Sequence, residues 1–580
     1  MTTFTSVQNG DWDAGETWGN GSGGDYPTKT TADDVANIGH QVTYNIDNSS
    51  GNRMGNVNIQ TGGELYFDTT ASTYLKIRGK IDLQAYNSEF HIATFASPLS
   101  SSYTCTIEYD LASDGANEWL DYSSDGVVIS LHGAVKTQRE ELSTTANASQ
   151  ADLVFSTIPA DWAAGDRLVV LSDDEAGTGR YTETEEVEIS SISSNTATLT
   201  GNLSNQHSAG TVVMNMTRNI RLFATNSSYR PSGSSRTVQF WVENVEFDDI
   251  GSNYVLSVQD RNNNGNLFKG CTVSGANDSI YVSGMVGCMV KDCNFYNAGS
   301  NHFDGQNTTG SYEFINCMFV DATSTCLNLQ GRGGPFRFYN CVIACNASYG
   351  VSCSNDRGFA EFVNCYFYGN QGRGVHAYRS VYNLYNCVFG EREDGTSQTN
   401  GDADMGIDGG FIKAHDCLFN SSDTADMSGG NGNGFPMIIS SNHNQTAGSY
   451  RQFESDTTYC VQDDATTYRT SAPSIKLNCT MGYASAIHKI PIQVSSGDNV
   501  SIEIYGKASS STQFNEGKAP WARVTGCGIK DDDEWDVSDT NWNALTLTGT
   551  ASRGGVILCE IGSPEEDADF YIDDITVTIT

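Results

Sequence analysis

The sequence predicts an all-β chain: a right-handed parallel β-helix with a capped N-terminal end, followed by a β-sandwich. Three observations carry that expectation. Between residues 240 and 420 one phrase keeps returning, as FKGCTV, VKDCNF, FINCMF, FYNCVI, FVNCYF, LYNCVF and AHDCLF. Its cysteines, Cys271, Cys293, Cys317, Cys341, Cys365, Cys387 and Cys417, are 22, 24, 24, 24, 22 and 30 residues apart, and a period of this size marks a solenoid. Inside each unit the residues alternate. Tyr312 and Phe314 flank Glu313, and after a change of phase Cys317 and Phe319 flank Met318. Period-two alternation means strands, and about three short runs per unit suit one coil of a parallel β-helix. The third observation is composition: 59 Gly and 10 Pro in 580 residues fit a turn-dense β protein.

In such a coil each cysteine stacks on the next, about 4.8 Å away. The residue before it is Asn316, Asn340, Asn364 or Asn386, with Asp292 and Asp416 as variants; asparagine there suits a turn, because it tolerates left-handed backbone. Both columns read as structure. A line of cysteines does not converge on a point as metal ligands must.

At 580 residues the chain is expected to hold two to four domains. A net charge of -38 argues against nucleic acid, whose phosphates need a basic surface, and leaves an anionic glycan only a local cationic patch. The start, MTTFTSVQNGDWDAGETW, has no basic or apolar leader segment, and no apolar run reaches 18 residues, so neither a signal peptide nor membrane insertion is expected. The 16 cysteines leave the redox compartment open.

In chain order, residues 1–100 are expected to form a cap and the first coils, with Trp12 and Trp18 covering the open end of the core. Residues 101–427 continue as β-helix, 428–445 as a glycine-rich linker, and 446–580 as a sandwich of short strands. The opening with Trp12 and Trp18, the turn Trp162, Gly165, Asp166, and Thr217-Arg218-Asn219-Ile220 resemble the eight-glycine domain and β-helix of fibrocystin-like and hyaluronan-degrading surface proteins. That resemblance implies a β-helix of pectin-lyase-like type and a leaning towards polysaccharide, and it carries over no catalytic residue. By its own chemistry Arg218 is expected to anchor a strand end by pairing with a carboxylate, and the lone histidines His132 and His207 are read as structural.

At the C-terminal end, the strand SIKL, the hairpin IPIQVSSGDNVSIEIYGK, Trp542 before TLTGT, and FYIDDITV resemble a carbohydrate-binding jelly roll. The resemblance makes Asp573 and Asp574 candidate ligands of a structural Ca2+, against an acidic strand end. No other cofactor is expected.

A β-helix binds along its outside. Counting ten residues from each ladder cysteine reaches Phe303, Leu327, Val351, Val375 and, after an insertion, Ile407, which should point inwards. The next residues, Asp304, Asn328, Ser352, His376 and Asp408, then form an outward row. Gln306, Gln330, Ser354 and Tyr378 follow on the same face, with Arg332, Arg357 and Arg379 close behind. Hydrogen-bonding groups, a ring and cations on one face are what a sugar chain needs. We read Asp304, His376 and Asp408 as catalytic candidates, with His376 and Asp408 near enough to share a proton. Asn328, Gln330, Arg332, Arg357, Tyr378 and Arg379 are the substrate-binding candidates. A second outward row, Glu313, Arg337, Glu361, Asn383 and Lys413, alternates in sign and reads as surface pairing. The acidic insertion around Glu391-Arg392-Glu393-Asp394 and Asp402 to Asp404 reads first as a solvated acidic loop, with a calcium loop or groove wall overhanging the site face as the alternative.

The whole architecture resembles phage tailspikes. That resemblance implies a receptor-binding homotrimer on a virion, in contact with other virion proteins, that recognises or depolymerises cell-surface polysaccharide as a glycoside hydrolase or lyase. The alternatives are an extracellular location and a non-catalytic adhesive or structural role.

Overall fold

The computed structural model describes residues 1–83, 87–110, 118–122, 126–173, 183–225, 232–235, 238–250, 254–258, 266–283, 288–306, 312–330, 335–352, 359–378, 380–393, 398, 400–401, 404–408, 411–415, 417–419, 425–426, 438–440, 461–464, 469, 474–479, 486–494, 496–509, 520–535, 540–552, 555–563 and 566–580. Each coil contributes strands that pair in parallel with the coils before and after. Among the described residues, one face is a 14-stranded sheet, and a 25-stranded sheet follows the other two faces. The fold is the parallel β-helix that the period predicts.

In-register pairing converts the repeated phrase into columns. Cys271, Cys293, Cys317, Cys341, Cys365 and Cys387 are buried, and their thiols donate to main-chain carbonyls, as Cys317 does to Val290 at 3.4 Å and Cys341 to Phe314 at 3.5 Å. Phe314, Phe338 and Phe362 stack with centroids 4.6 Å apart and planes within 8°. Such offset stacks contribute about 0.5–1.5 kcal/mol each beyond the area they bury. The asparagines take positive φ at the coil corner (Asn316 53°, Asn340 52°, Asn364 54°, Asn386 50°) and hydrogen-bond along the axis, Asn364 to Asn340 at 3.2 Å and Asn386 to Asn364 at 2.7 Å. At the N-terminal end Trp12 and Trp18 meet edge to face at 5.2 Å, and Trp12 rests on Tyr44 of the first coils.

The structure departs from a continuous β-helix between the strands Val127–His132 and Ile220–Ala224. Among the described residues, six strands between Arg139 and Asn215 form a separate antiparallel sheet with its own core of Leu153, Phe155, Trp162, Leu168, Ile189 and Leu199. Period-two alternation does not distinguish parallel from antiparallel pairing. The distinguishing mark is the Ser194-Asn195 loop, with Ser194 at φ 57°, which joins Glu185–Ser193 to Thr196–Leu199 as a two-residue hairpin. The inserted sheet lies against the β-helix through Val169, Leu171, Met214 and Met216, which pack on Met318, Val320, Val342 and Tyr368. Arg218 anchors its return as expected at a carboxylate, but through its main-chain N–H, which donates to Glu246 Oε2 at 2.9 Å, while its guanidinium donates to the carbonyls of Gly270 (2.8 Å), Asn215 (3.1 Å) and Thr217 (2.6 Å) and to Gln138. His207 is structural as expected, between the Leu171 carbonyl at 2.9 Å and Glu185 at 3.1 Å.

Beyond the ladder, Ile438–Ser440 pairs with Phe411–His415, inside the stretch read as linker. The C-terminal residues form two antiparallel sheets of five and four strands around Ile502, Leu547, Ile557, Trp535 and Phe570. Ala486–Val494 and Asn499–Ala508 are not a hairpin. They belong to different sheets, so the intervening turn crosses the sandwich.

Two predictions follow from this packing. Replacing Asn364 by Ala forces a Cβ without a compensating amide into positive φ, whereas Gly accepts that backbone; the urea unfolding midpoint should place Asn364→Gly about 1 kcal/mol above Asn364→Ala. Equal midpoints would contradict the turn assignment. The second concerns Asp321 in the strand Met318–Ala322, at φ 62°, whose carboxyl burial lifts from 3.8 to about 6. The unfolded chain loses this proton near its ordinary value and the native chain only near 6, so the native state is penalised as pH rises through that window, fully so above it. Asp321→Asn keeps the shape and suits the backbone. It should stabilise the protein at pH 7 by on the order of 2 kcal/mol and by little at pH 4, measured by denaturant unfolding.

Candidate functional site

The candidate site is the outer side of the strands Tyr254–Val258, Asp278–Ser283, Phe303–Gln306, Leu327–Gln330, Val351–Ser352, Val375–Tyr378 and Met405–Asp408, which pair in that order. Ile280, Phe303, Leu327, Val351, Val375 and Met405 face one another across the ladder and are buried in the core. Alternation then turns the next residues outwards: Tyr281, Asp304, Asn328, Ser352, His376 and Gly406. The column of Asp304, Asn328, Ser352 and His376 is the one that counting from the cysteines predicts.

Asp408 is not in it. His376 faces Gly406, and Asp408 faces Tyr378, two residues further along. The coil between Cys387 and Cys417 is longer than the others, and it takes up its additional residues so that Met405, and not Ile407, falls opposite Val375. His376 and Asp408 are therefore not a facing pair, and their expected sharing of a proton has no basis in the register. The side chains of Gln306, Tyr378 and Asp408, and residues Arg332, Ser354, Arg357 and Arg379, lie outside the described residues. Gln330 is half-buried at the end of its strand.

The column is more enclosed than a solvated face. Asp304, Ser352 and His376 keep 6%, 8% and 9% of their surface exposed. The Asn328 amide donates to Asp304 Oδ1 at 3.0 Å, and Ser352 Oγ lies 3.4 Å from His376 Nδ1. Tyr349 sits beside His376 with ring centroids 5.0 Å apart, and the Arg373 guanidinium is 5.8 Å from the Tyr349 ring centroid. A Cβ on Gly406 would run into the Arg373 side chain, so that arginine lies across the glycine that faces His376. At the other end Tyr254 and Tyr281 stack at 5.1 Å.

Sequence reasoning missed four of these residues. Tyr281 is the tenth residue after Cys271, which the count would turn inwards, but this coil is one residue out of step and Ile280 takes the inner position. Tyr254 lies upstream of the ladder. Tyr349 and Arg373 stand in the turns before their strands, each two residues ahead of an inward valine, a recurrence that the count from the cysteines passes over. His302, two residues before Asp304, faces inwards: burial holds its imidazole down to about 4, with Nε2 2.7 Å from the Val320 carbonyl.

The second row behaves as expected. Glu313, Arg337, Glu361, Asn383 and Lys413 face one another in turn, with Arg337 3.8 Å from Glu313 and 3.4 Å from Glu361. Of the acidic insertion's charged residues, Glu391, Arg392, Glu393 and Asp404 are described. Arg392 ties it to the inserted sheet through Thr211 at 3.1 Å and the Ala209 carbonyl at 3.4 Å. In the sandwich, Asp573 Oδ2 accepts from the Arg469 main-chain N–H at 2.7 Å, and Asp574 pairs with the Arg469 guanidinium.

Residues 241–412 match a family model described as a right handed beta helix region. No curated protein matches the chain in sequence. Among solved structures, it is similar to the tailspike gp61 of Pseudomonas phage phi297, at 12% identity over 91% of this chain and 90% of that one, with a TM-score of 0.19. It is also similar to the Gp54 tailspike of Acinetobacter baumannii bacteriophage AP22, solved in complex with a capsular saccharide, at 12% identity over 87% and 91%, with a TM-score of 0.20. A family 16 carbohydrate binding module matches 21% of this chain and 86% of its own length at 16% identity and a TM-score of 0.17. Likeness at this level assigns no function by itself.

Proposed function

We propose that the chain binds a cell-surface polysaccharide along the outward column from Tyr254 to Arg373, as a tailspike-like recognition protein. The observation that carries this reading is the set of groups that the ladder brings to one face: the stacked Tyr254 and Tyr281, the Asp304–Asn328 hydrogen bond, Ser352 with His376, and Tyr349 with Arg373. Rings stack on sugar faces, amide and carboxylate bind hydroxyls, and a guanidinium meets an anionic substituent. From Tyr281 to Gly406 the column spans five strand steps, about 24 Å, which suits a polymer better than a single sugar.

Recognition is better supported than cleavage. Asp304 and His376 stand three strand steps apart, about 14 Å, too far to share a proton as an acid–base pair. Asp408 is out of step with His376. Incubating the full chain with capsule or lipopolysaccharide and following both by size exclusion tests this reading. Intact chains should co-elute with the protein, and Asp304→Asn combined with Arg373→Ala should weaken binding at least tenfold without changing the unfolding midpoint. Absence of co-elution would contradict binding, and shortened or unsaturated chains would contradict the non-catalytic reading.

A further inference from the structure

On the 14-stranded face the ladder builds a second constellation. Ser130 and His132 belong to the strand Val127–His132 and, two residues apart, point to the same side. Glu243 faces His132 from the strand Val238–Glu243 of the next coil. Ser130 Oγ lies 2.7 Å from His132 Nε2, and His132 Nδ1 lies 3.0 Å from Glu243 Oε2. The other Glu243 oxygen is 3.3 Å from Lys269 Nζ, the pairing of an ionised carboxylate. An ionised carboxylate only accepts, so Nδ1 must carry the imidazole hydrogen, Nε2 is left as acceptor, and the Ser130 hydroxyl donates to it. This is the order of partners that activates a serine nucleophile. Burial also holds the His132 imidazole below its ordinary range, against the pull of Glu243, which keeps it in the basic form near neutrality. The structural reading that suits His207 does not account for a serine aligned on the remaining nitrogen.

We propose that Ser130, His132 and Glu243 form a nucleophile–base–acid relay that hydrolyses carboxylic esters with a small acyl group. Ser130 Oγ bonds to the ester carbonyl carbon while its proton passes to His132 Nε2. The carbon–alkoxy bond then breaks, and the alcohol leaves with that proton. Water, deprotonated by the same nitrogen, attacks the acyl-serine and releases the carboxylic acid, which restores Ser130. His91 and Trp241 face Ser130 from the strands on either side and flank the reacting centre, with His91 Nε2 held 2.7 Å from Glu89 Oε2. Ser130 keeps only 7% of its surface exposed, which limits the acyl group, whereas Trp241 is 41% exposed and offers a wall for the alcohol part. Phe95 overhangs His132 with ring centroids 6.1 Å apart, from a turn tied down by the Leu99 N–H to the His132 carbonyl.

The test uses the full chain with p-nitrophenyl acetate and a fluorophosphonate probe, so it is independent of polysaccharide binding. The probe should add one adduct, mapped by peptide mass to Ser130. Ser130→Ala should abolish both adduct and turnover, and Glu243→Gln should slow turnover by about 100-fold or more, with unfolding midpoints showing that each variant is folded. Phe95→Ala, which uncovers the site, should label at least as fast as wild type. No adduct at Ser130 in either wild type or Phe95→Ala would overturn the proposal, as would turnover that survives Ser130→Ala.

Discussion

In-register pairing of one coil on the next is the constraint on which the rest of this structure depends. Each ladder step displaces a residue by about 4.8 Å and leaves its direction unchanged, so a side chain's neighbours are set by its counterparts one coil away. Pointed inwards, the rule makes the stack of Phe314, Phe338 and Phe362 and the column of buried thiols. At the corners it lets one asparagine amide bond the next while the backbone holds positive φ. Pointed outwards, it lines up functional groups that are more than twenty residues apart in sequence.

The same rule explains what could be read before the structure. The cysteine and asparagine columns and the charge-paired row from Glu313 to Lys413 were legible because each lies at or a fixed few residues before the repeated cysteine, whatever the coil's length. Prediction failed where a coil changes length. The long coil after Cys387 moved Asp408 out of the column, and the short one after Cys271 hid Tyr281. It failed again where alternation is ambiguous: residues 139–215 alternate like β-helix strands but pair antiparallel, and Ala486–Val494 and Asn499–Ala508 look like a hairpin but belong to two sheets. The relay of Ser130, His132 and Glu243 was beyond reach, because the inserted sheet separates His132 from Glu243 by 111 residues and no period spans that gap.

The two outward constellations differ in what they can do. Among its described residues, the column from Tyr254 to Arg373 offers rings, amides and one guanidinium over a long strip, with its carboxylate and imidazole too far apart to share a proton. The relay is compact: His132 is held between Ser130 and Glu243, and Glu243 between His132 and Lys269. A chain of net charge -38 repels a strongly anionic glycan along most of its surface, so in the proposed binding column Arg373 is the described side chain suited to meet a negative substituent.

The central claim, that the ladder's outward column is the carbohydrate-binding surface, is tested most directly by chemical footprinting of the full chain with and without bound polysaccharide. The account predicts protection of Tyr254, Tyr281, Tyr349 and His376 together, with Tyr66 and His91 on the 14-stranded face unchanged. Protection confined to the C-terminal sandwich, or to the 14-stranded face, would contradict it.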